Sequence, residues 1–363
     1  MKVGLVIYGS LDILTGGFIF DRKLVDHIQG DGSTVEVFSL PWRNYVFHIT
    51  DNFSYKFIKR LKRSSCDILL EDELNHPSLL SANYLLKQSK KFPVVSIVHH
   101  LRSSELRSKI ANHFYRKVEQ IYLTSVDGYV FNSATTRDSV RQLGLPPKPS
   151  VTAYPGRKPG SRLVDVEFIR KRSHSRGPLR ILFVGALIPR KQLDTLLEAL
   201  SSLPKSEWLL RVVGALETDK NYADTISKLL KRLDLEKNVR LLGSMSQEEL
   251  DSEYLNCHVL AVPSSYEGFG IVYLESMGFG APPLASTAGA AHEVISDGRN
   301  GFLVRPGDVS AIAEKLGQLA NDRDLLFEMG KAALDSFITH PTWDQSCAKI
   351  FNFMKEMVGK NHV

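Results

Sequence analysis

Short, nearly all-apolar runs alternate along the chain with longer amphipathic segments in which Leu or Ile recurs every three or four positions. In the first half the apolar runs are KVGLVIYGS, STVEVFSL, CDILLEDE, VVSIVHHL, DGYVFNS and SVTAYPG. In the second half they are LRILFVGA, WLLRVVGA, VRLLGSM, HVLAVPSS, PPLAS and FLV. Strands without polar alternation are buried on both faces, which is the condition of a parallel sheet covered by helices. Segments such as QLDTLLEALSSL and YADTISKLLKRL carry the stripe of a covering helix. The pattern predicts an α/β protein of two doubly wound domains in series. The stretch RKPGSRLVDVEFIRKRSHSRGP is polar, charged and punctuated by Gly and Pro, so a linker is expected within it. The expected boundaries are a first domain at 1–160, a linker at 161–178, a second domain at 179–340 and a terminal helix at 341–363. That helix carries Trp343, Phe351 and Phe353, which must bury against something.

Composition changes this picture little. A length of 363 residues suits two cores rather than one. No apolar run approaches the ~18 residues a membrane-crossing helix needs. The opening MKVGLVIYGS reads as a first strand rather than a secretion signal. Cys66, Cys257 and Cys347 are few, far apart and without metal-ligand spacing, so a reducing, cytoplasmic setting is expected. Charge is more informative. Residues 1–172 hold 26 Lys/Arg against 16 Asp/Glu, a net +10, while the remainder holds 20 against 24, a net −4. A basic half and an acidic half imply different partners.

The stretch EGFGIVYLESMGFGAPPLAS, residues 267–286, concentrates the candidate chemistry. It follows the apolar run HVLAVPSS, and ligands of open α/β sheets bind beyond the carboxyl ends of strands. Gly268 and Gly270 remove side chains where a ligand could meet the backbone. A helix is expected to start near Ile271, its free N–H groups facing the same crevice, with Glu275 about one turn inside it. A carboxylate accepts hydrogen bonds from two neighbouring hydroxyls at once, so a ribose or sugar diol is a natural partner. Taken alone, Glu267 reads rather as a surface acid near a helix start and Glu275 as a solvated helix residue; with the glycines and the strand end, the pair reads as a polyol site.

The string resembles the E-x7-E signature of family-4 glycosyltransferases, enzymes of the GT-B fold, in which two Rossmann-like domains face each other across a cleft. FVGALIPRKQLDTLLEAL resembles the strand, phosphate loop and helix that open the family's C-terminal domain, and GAPPLASTAGAAHEVISDGRNGFLVRPGD the stretch after the E-x7-E helix. LTGGFIF resembles the glycine loop after the first strand, and VVSIVHH a strand ending in histidine. The likeness is strong over residues 179–345 and thin over residues 1–150.

The resemblance implies a nucleotide-diphosphate sugar held mainly by the C-terminal domain, with the terminal helix returning to the N-terminal one. Glu275 would bind the ribose hydroxyls and Glu267 those of the donor sugar, while Lys191 and Arg190 would pair with the diphosphate. Gly268, Phe269 and Gly270 would border the donor, and the amides of Gly16 and Gly17 would reach its diphosphate from the other side. His99 would sit near the reacting carbon; with Glu267 and Lys191 it makes the expected catalytic set. The sequence departs from the pattern at Ala186, which follows Gly185 where many relatives carry Arg; Arg190 is the nearest substitute. Gly289 and Ser286 would border phosphate or acceptor.

The polar strand ending LLEDELNHPSL offers Asp72, Asn75 and His76 as acceptor-binding groups, or else is an ordinary solvated loop. No D-x-D motif stands at a strand end, since Asp165-Val166-Glu167 lies in the linker, so neither metal nor other cofactor is expected. Retention of anomeric configuration, as in the family, needs no enzyme nucleophile.

YKFIKRLKRSS, residues 55–65, interleaves five basic residues with Tyr55, Phe57, Ile58 and Leu61. It reads as a surface for anionic lipid, with Lys90-Lys91 and Arg116-Lys117 adding charge, or as a solvated helix whose apolar side lies on the core. No nucleic-acid motif accompanies the charge. The expected function is transfer of a sugar from a nucleotide-diphosphate donor to a hydroxyl acceptor, whether glycan, lipid-linked or small molecule. The alternatives are a nucleotide-sugar epimerase of the same architecture and a binding subunit with weak turnover. A dinucleotide dehydrogenase is not expected, because no G-x-G-x-x-G follows the first strand.

Overall fold

The computed structural model describes residues 1–12, 15–89, 92–158 and 164–361. The chain forms two compact units, one of Met1–Gly156 with Pro341–Val363 and one of Arg157–His340. Each of the twelve apolar runs named above contains one strand.

In the first unit the strands are β1 (Lys2–Tyr8), β2 (Thr34–Leu40), β3 (Ile68–Asp72), β4 (Val94–Val98), β5 (Gly128–Phe131) and β6 (Ser150–Thr152). All pair in parallel, in the order β2-β1-β3-β4-β5-β6. Chain connections therefore leave the carboxyl ends of β1 and β3 in opposite directions, which opens a crevice there. β3 and β4 are buried at every position, as their lack of alternation requires. The terminal helix Trp343–Asn361 belongs to this unit: the Trp343 ring packs edge-on 5.9 Å from Phe20, and Lys349 Nζ donates to the Thr152 carbonyl at 2.7 Å. A Cβ on Gly156 would lie 2.2 Å from the Trp343 nitrogen, so glycine lets the two passes of the chain touch.

The second unit repeats the plan with β7 (Leu179–Val184), β8 (Trp208–Val213), β9 (Val239–Gly243), β10 (Val259–Val262), β11 (Pro283–Ser286) and β12 (Phe302–Val304). Their order is β12-β11-β10-β7-β8-β9, again parallel. Its reversal falls between β7 and β10, the strands that lead into Lys191 and Glu267.

The expected linker at 161–178 is corrected in part. Residues Val166–Ser173 form a helix, N-capped by the Asp165 side chain accepting from Phe168 N at 2.7 Å. Ile169 is fully buried against Phe327 and Leu334, and the Arg172 guanidinium donates to the carbonyls of Tyr254, Leu255 and Gly280. One apolar residue and a buried arginine anchor this helix, too faint a stripe to show among its charges. Among the described residues no helix is long and apolar enough to cross a membrane.

Candidate functional site

In the second unit the chain leaving β7 runs through Gly185 to a single 3-10 turn, Pro189–Lys191, and the chain leaving β10 passes beside it. The Ser265 amide donates to the Arg190 carbonyl at 2.8 Å, which ties the two loops together. Lys191 Nζ then lies 2.6 Å from Glu267 Oε1, and an Arg190 guanidinium nitrogen lies 3.3 Å from the same oxygen. That nitrogen also donates to the Tyr266 carbonyl at 2.7 Å. Glycines make room for this corner. A Cβ on Gly185 would press on Lys191 Cε at 3.2 Å, and one on Gly289, whose φ is +84°, would strike the Glu267 carbonyl oxygen at 2.0 Å. Ala290 N donates to that carbonyl at 2.9 Å, fixing the backbone from which the carboxylate projects.

Two cations face one anion here, and the ionisations follow. Burial favours the neutral Glu267 acid, but Lys191 and Arg190 outweigh it and hold the carboxyl down at about 2. Lys191 is also lowered, first by burial and then by Arg190, with Glu267 acting in the opposite direction. The asymmetry is physical: the carboxylate gains two cations, whereas the ammonium gains one anion and a like-charged neighbour. The corner carries a net positive charge at the end of two buried strands, a setting suited to a multiply charged anion.

Glu275 lies in the helix Ile271–Gly278, whose N-cap Gly270 has φ +85°. A Cβ there would meet the Tyr273 ring at 2.3 Å. The half-buried Glu275 accepts from the Tyr254 hydroxyl at 3.1 Å, and burial pushes its carboxyl up to about 7 against the pull of Tyr254 and Lys158. A carboxyl near neutrality can both donate to and accept from a diol. Gly268 and Gly270 are partly open, but Phe269 is buried with its ring 5.8 Å from His340, so it anchors the turn rather than offering a face. Ser286 is likewise buried, its hydroxyl donating to the Ser264 carbonyl.

In the first unit Gly16 and Gly17 open the helix Gly16–Gly30. Its N-cap, Thr15, makes no side-chain cap bond, which leaves the first amides available as donors. A Cβ on Gly17 would come within 3.1 Å of the His99 ring, so the turn and the histidine after β4 lie together. His99 Nε2 is 3.3 Å from Asp21 Oδ1, its ring packs edge-on 5.3 Å from Phe20, and its carbonyl accepts from Thr136 Oγ1 at 3.2 Å. Burial disfavours the charged ring, yet Asp21, Asp72 and Glu73 raise it to about 9. Asp72 is itself pushed up to about 7, chiefly by burial and then by Asp21. His100 instead pairs with Glu105 at 3.0 Å.

Asp72, Asn75 and His76, expected either as acceptor-binding groups or in a solvated loop, do not lie in a solvated loop. All three are buried and bonded within the unit. Asp72 accepts from Leu74 N at 2.9 Å, and Asn75 is placed to accept from Tyr8 N at 3.2 Å and to donate to the Asp72 carbonyl. The His76 nitrogens lie 2.7 Å from the Tyr45 hydroxyl and 3.0 Å from Glu73 Oε1. The segment forms a 3-10 turn, Glu73–Ser78, that folds these polar groups inward, which its composition does not reveal.

Two groups of side chains among the described residues have ligand atoms close enough to hold a metal: Asp21 with Asp72 and His99, and Glu73 with His76 and Glu119. In the second group both histidine nitrogens already have partners. In the first, the Nε2–Asp21 contact fits a hydrogen-bonded ion pair as well as a ligand set. Asp21 escaped the sequence reading. Its signal was available, because it occupies the buried stripe with Leu24, Val25 and Ile28, where an acid needs a partner. Leu14 of the glycine stretch and Lys90-Lys91 lie outside the described residues.

Comparisons with known proteins agree with this architecture. Residues 165–335 match the family model described as Glycosyl transferases group 1, and residues 21–159 match Glycosyltransferase Family 4. A GDP-mannose-dependent alpha-(1-6)-phosphatidylinositol monomannoside mannosyltransferase of Mycobacterium tuberculosis is 29% identical over 197 residues, 52% of this chain and 50% of that protein. A D-inositol 3-phosphate glycosyltransferase of Corynebacterium aurimucosum is 30% identical over 271 residues, 69% of this chain and 63% of its own. The chain spans about half the length of the curated relatives it matches. Sucrose-phosphate synthase from Thermosynechococcus elongatus superposes with a TM-score of 0.83 at 18% identity, covering 99% of this chain and 100% of that one. Anabaena HepE, solved with UDP, gives a TM-score of 0.78 at 18% identity, covering 98% and 100%. With two parallel Rossmann-like sheets and both family models matched, the chain belongs to the family-4, group 1 glycosyltransferases and has the GT-B fold.

Proposed function

We propose that the protein is a retaining glycosyltransferase that moves a sugar from a nucleotide-diphosphate donor to a hydroxyl acceptor. The observation that carries this is the corner at β7 and β10, where Lys191 and Arg190 share the Glu267 carboxylate and leave a net positive charge. Breaking the sugar–phosphate bond places growing negative charge on the departing diphosphate. Cations already fixed beside it stabilise that charge as it develops. Glu267, kept ionised by the same cations, accepts from sugar hydroxyls, and Glu275 holds the ribose diol. Gly268 and Gly270 admit the donor against the backbone, and Phe269 holds their turn in place. The acceptor hydroxyl attacks the sugar on the face the diphosphate leaves, and a phosphate oxygen takes its proton. Positioning is then the main catalytic effect, able to offset about 7–11 kcal/mol of barrier. No resident metal or other cofactor takes part in this reading.

Arg190 fills the role that Ala186 leaves empty, since its guanidinium reaches the Glu267 corner from the far end of the same loop. That weakens the reading of a binding subunit without turnover. The epimerase alternative finds no support among the relatives reported above, which are named for transfer or synthesis.

The acceptor is proposed to be carried at an anionic lipid surface. The helix Tyr55–Arg63 spends Phe57, Ile58 and Leu61 on the core, but Phe53 and Tyr55 stand 85% and 74% exposed beside Lys56, Lys59, Lys62 and Arg63. Equal co-sedimentation with neutral and anionic vesicles would remove this part alone.

A thermal-shift panel of UDP, GDP, ADP and their sugars tests the donor reading, because a ligand that binds only the folded state raises its melting temperature. One nucleotide class should stabilise the wild type and fail to stabilise Lys191→Ala. No stabilisation by any of them, or no product from the stabilising sugar nucleotide with a panel of glycan and lipid-linked acceptors, overturns the proposal.

A further inference from the structure

The first unit contains a charged assembly that the transfer scheme does not use. Asp21 is fully buried, one oxygen lies 3.3 Å from His99 Nε2, and the other has no hydrogen-bond partner. Asp72, at the end of β3, is also buried, and ligand-type atoms of Asp21, Asp72 and His99 all lie within 4.8 Å of one another. Glu73, in the turn after β3, adds a further negative charge toward the ring. The His99 side chain keeps 14% of its surface open, whereas the Asp21 side chain keeps none. The imidazole is therefore the most open member of this group.

We propose that Asp21, backed by Asp72, is a positioning residue that holds His99 as an imidazolium against the Gly16–Gly17 turn, so that its second N–H donates to an anionic oxygen. The chemistry lies in the ring's two nitrogens. With Nε2–H committed to Asp21, a neutral ring would present Nδ1 only as an acceptor, suited to a hydroxyl. A protonated ring presents Nδ1–H as a charged donor, suited to phosphate. Two buried carboxylates cannot both ionise cheaply without a cation between them, and His99 is the cation the geometry provides. This explains how one ring is raised to about 9 while Asp72 is raised to about 7. The amides opening the helix at Gly16 and the imidazolium beside Gly17 then form a single anion-facing edge.

The ligand side of this inference rests on the transferase reading, whereas the pairing of the three side chains does not. The test is a nitrogen-15 NMR titration of the full-length protein, with the His99 signals assigned by their loss in His99→Gln. In the wild type the His99 midpoint is expected at least one pH unit above the ordinary 6.5. In Asp21→Asn it should fall by one unit or more, and in Asp72→Asn by less. A wild-type midpoint at or below 6.5 overturns the proposal without recourse to any variant, so misfolding of Asp21→Asn cannot shield it. The second readout is the alkaline limb of kcat/KM for sugar transfer, which should move down with the midpoint in Asp21→Asn. A midpoint that moves while the limb stays fixed upholds the pairing and overturns the donor role of His99. A histidine resonance that changes with stoichiometric Mn2+ or Zn2+, and is restored by chelator, replaces the ion pair by a metal site and also overturns it.

Discussion

The two sheets share a plan, with the order reversing at the first strand of each, yet their crevices are charged in opposite senses. At the end of β7 and β10 cations are in excess, and the carboxylate among them falls to about 2. At the end of β3 and β4 carboxylates are in excess, so Asp72 rises to about 7 and the histidine among them to about 9. Burial is similar in both places. What differs is which charge is in the majority, and the minority group is the one whose ionised form is secured. Both sheets offer places for a ligand at strand ends, and the local balance of charges decides which ionised group each place presents.

The largest expected break in this contrast comes from Lys191→Ala, which removes a cation and leaves Glu267 with Arg190 alone. Sugar transfer should fall about 10²–10³-fold, the scale of losing one fixed donor to a developing anion. Glu267→Gln, which leaves both cations in place, should retain nucleotide binding while losing turnover, and steady-state kinetics beside calorimetry separates the two. Next in size is Gly289→Ala, which puts a methyl group into the Glu267 carbonyl at a backbone angle L residues rarely adopt. It should cost about 3 kcal/mol of stability by denaturant melt and disturb the same corner.

A smaller effect sharpens the contrast through pH. Glu267 is depressed from 4.5 to about 2, so its contribution is present above the unfolded value and is lost as pH falls toward 2. His258, buried neutral at about 3, acts in the same unit and the same direction, losing stability as pH falls below 6.5. His99 is raised, so its contribution is complete below 6.5 and is lost as pH rises through about 9. Glu71 and Asp72 are raised to about 7, and they too lose stability as pH rises, from their ordinary values up to 7. Glu275 opposes the trend within the second unit, because its carboxyl is also raised to about 7. Hydrogen exchange at pH 5, 7 and 9 should show β3 and β4 loosening toward alkali while β7 and β10 hold. Uniform change in both sheets would remove the contrast.

The smallest expected effect is at the surface. Phe53→Ser should alter stability by no more than about 0.5 kcal/mol, since the ring is already in water. It should nevertheless lower recovery with anionic vesicles, and unchanged recovery would separate the basic helix from any lipid role.

Much of the second unit could be read without coordinates. The pair Glu267 and Glu275, the glycines between them and Lys191 are close in sequence to strand ends, and strand ends of a parallel sheet are where crevices open. The first unit was less legible, for two reasons. Asp21, Asp72 and His99 come from three elements far apart in the chain, and no spacing rule links them. Asn75 and His76 sit in a segment whose polarity suggested solvent, whereas its 3-10 turn folds them inward against Tyr8, Tyr45 and Glu73. The helix Val166–Ser173 was hidden likewise, because a single buried isoleucine and an arginine bonded to three carbonyls leave almost no periodic trace.

By itself the sequence determined the strands, their parallel pairing and the identity of the groups at their ends, since burial on both faces and glycine-bearing strand ends are written in local residue order. Only the tertiary structure decided which charges outnumber which. Ionisation depends on the sum of neighbours brought within a few ångströms from distant parts of the chain and on the water those neighbours exclude, and neither quantity exists until the sheets are packed.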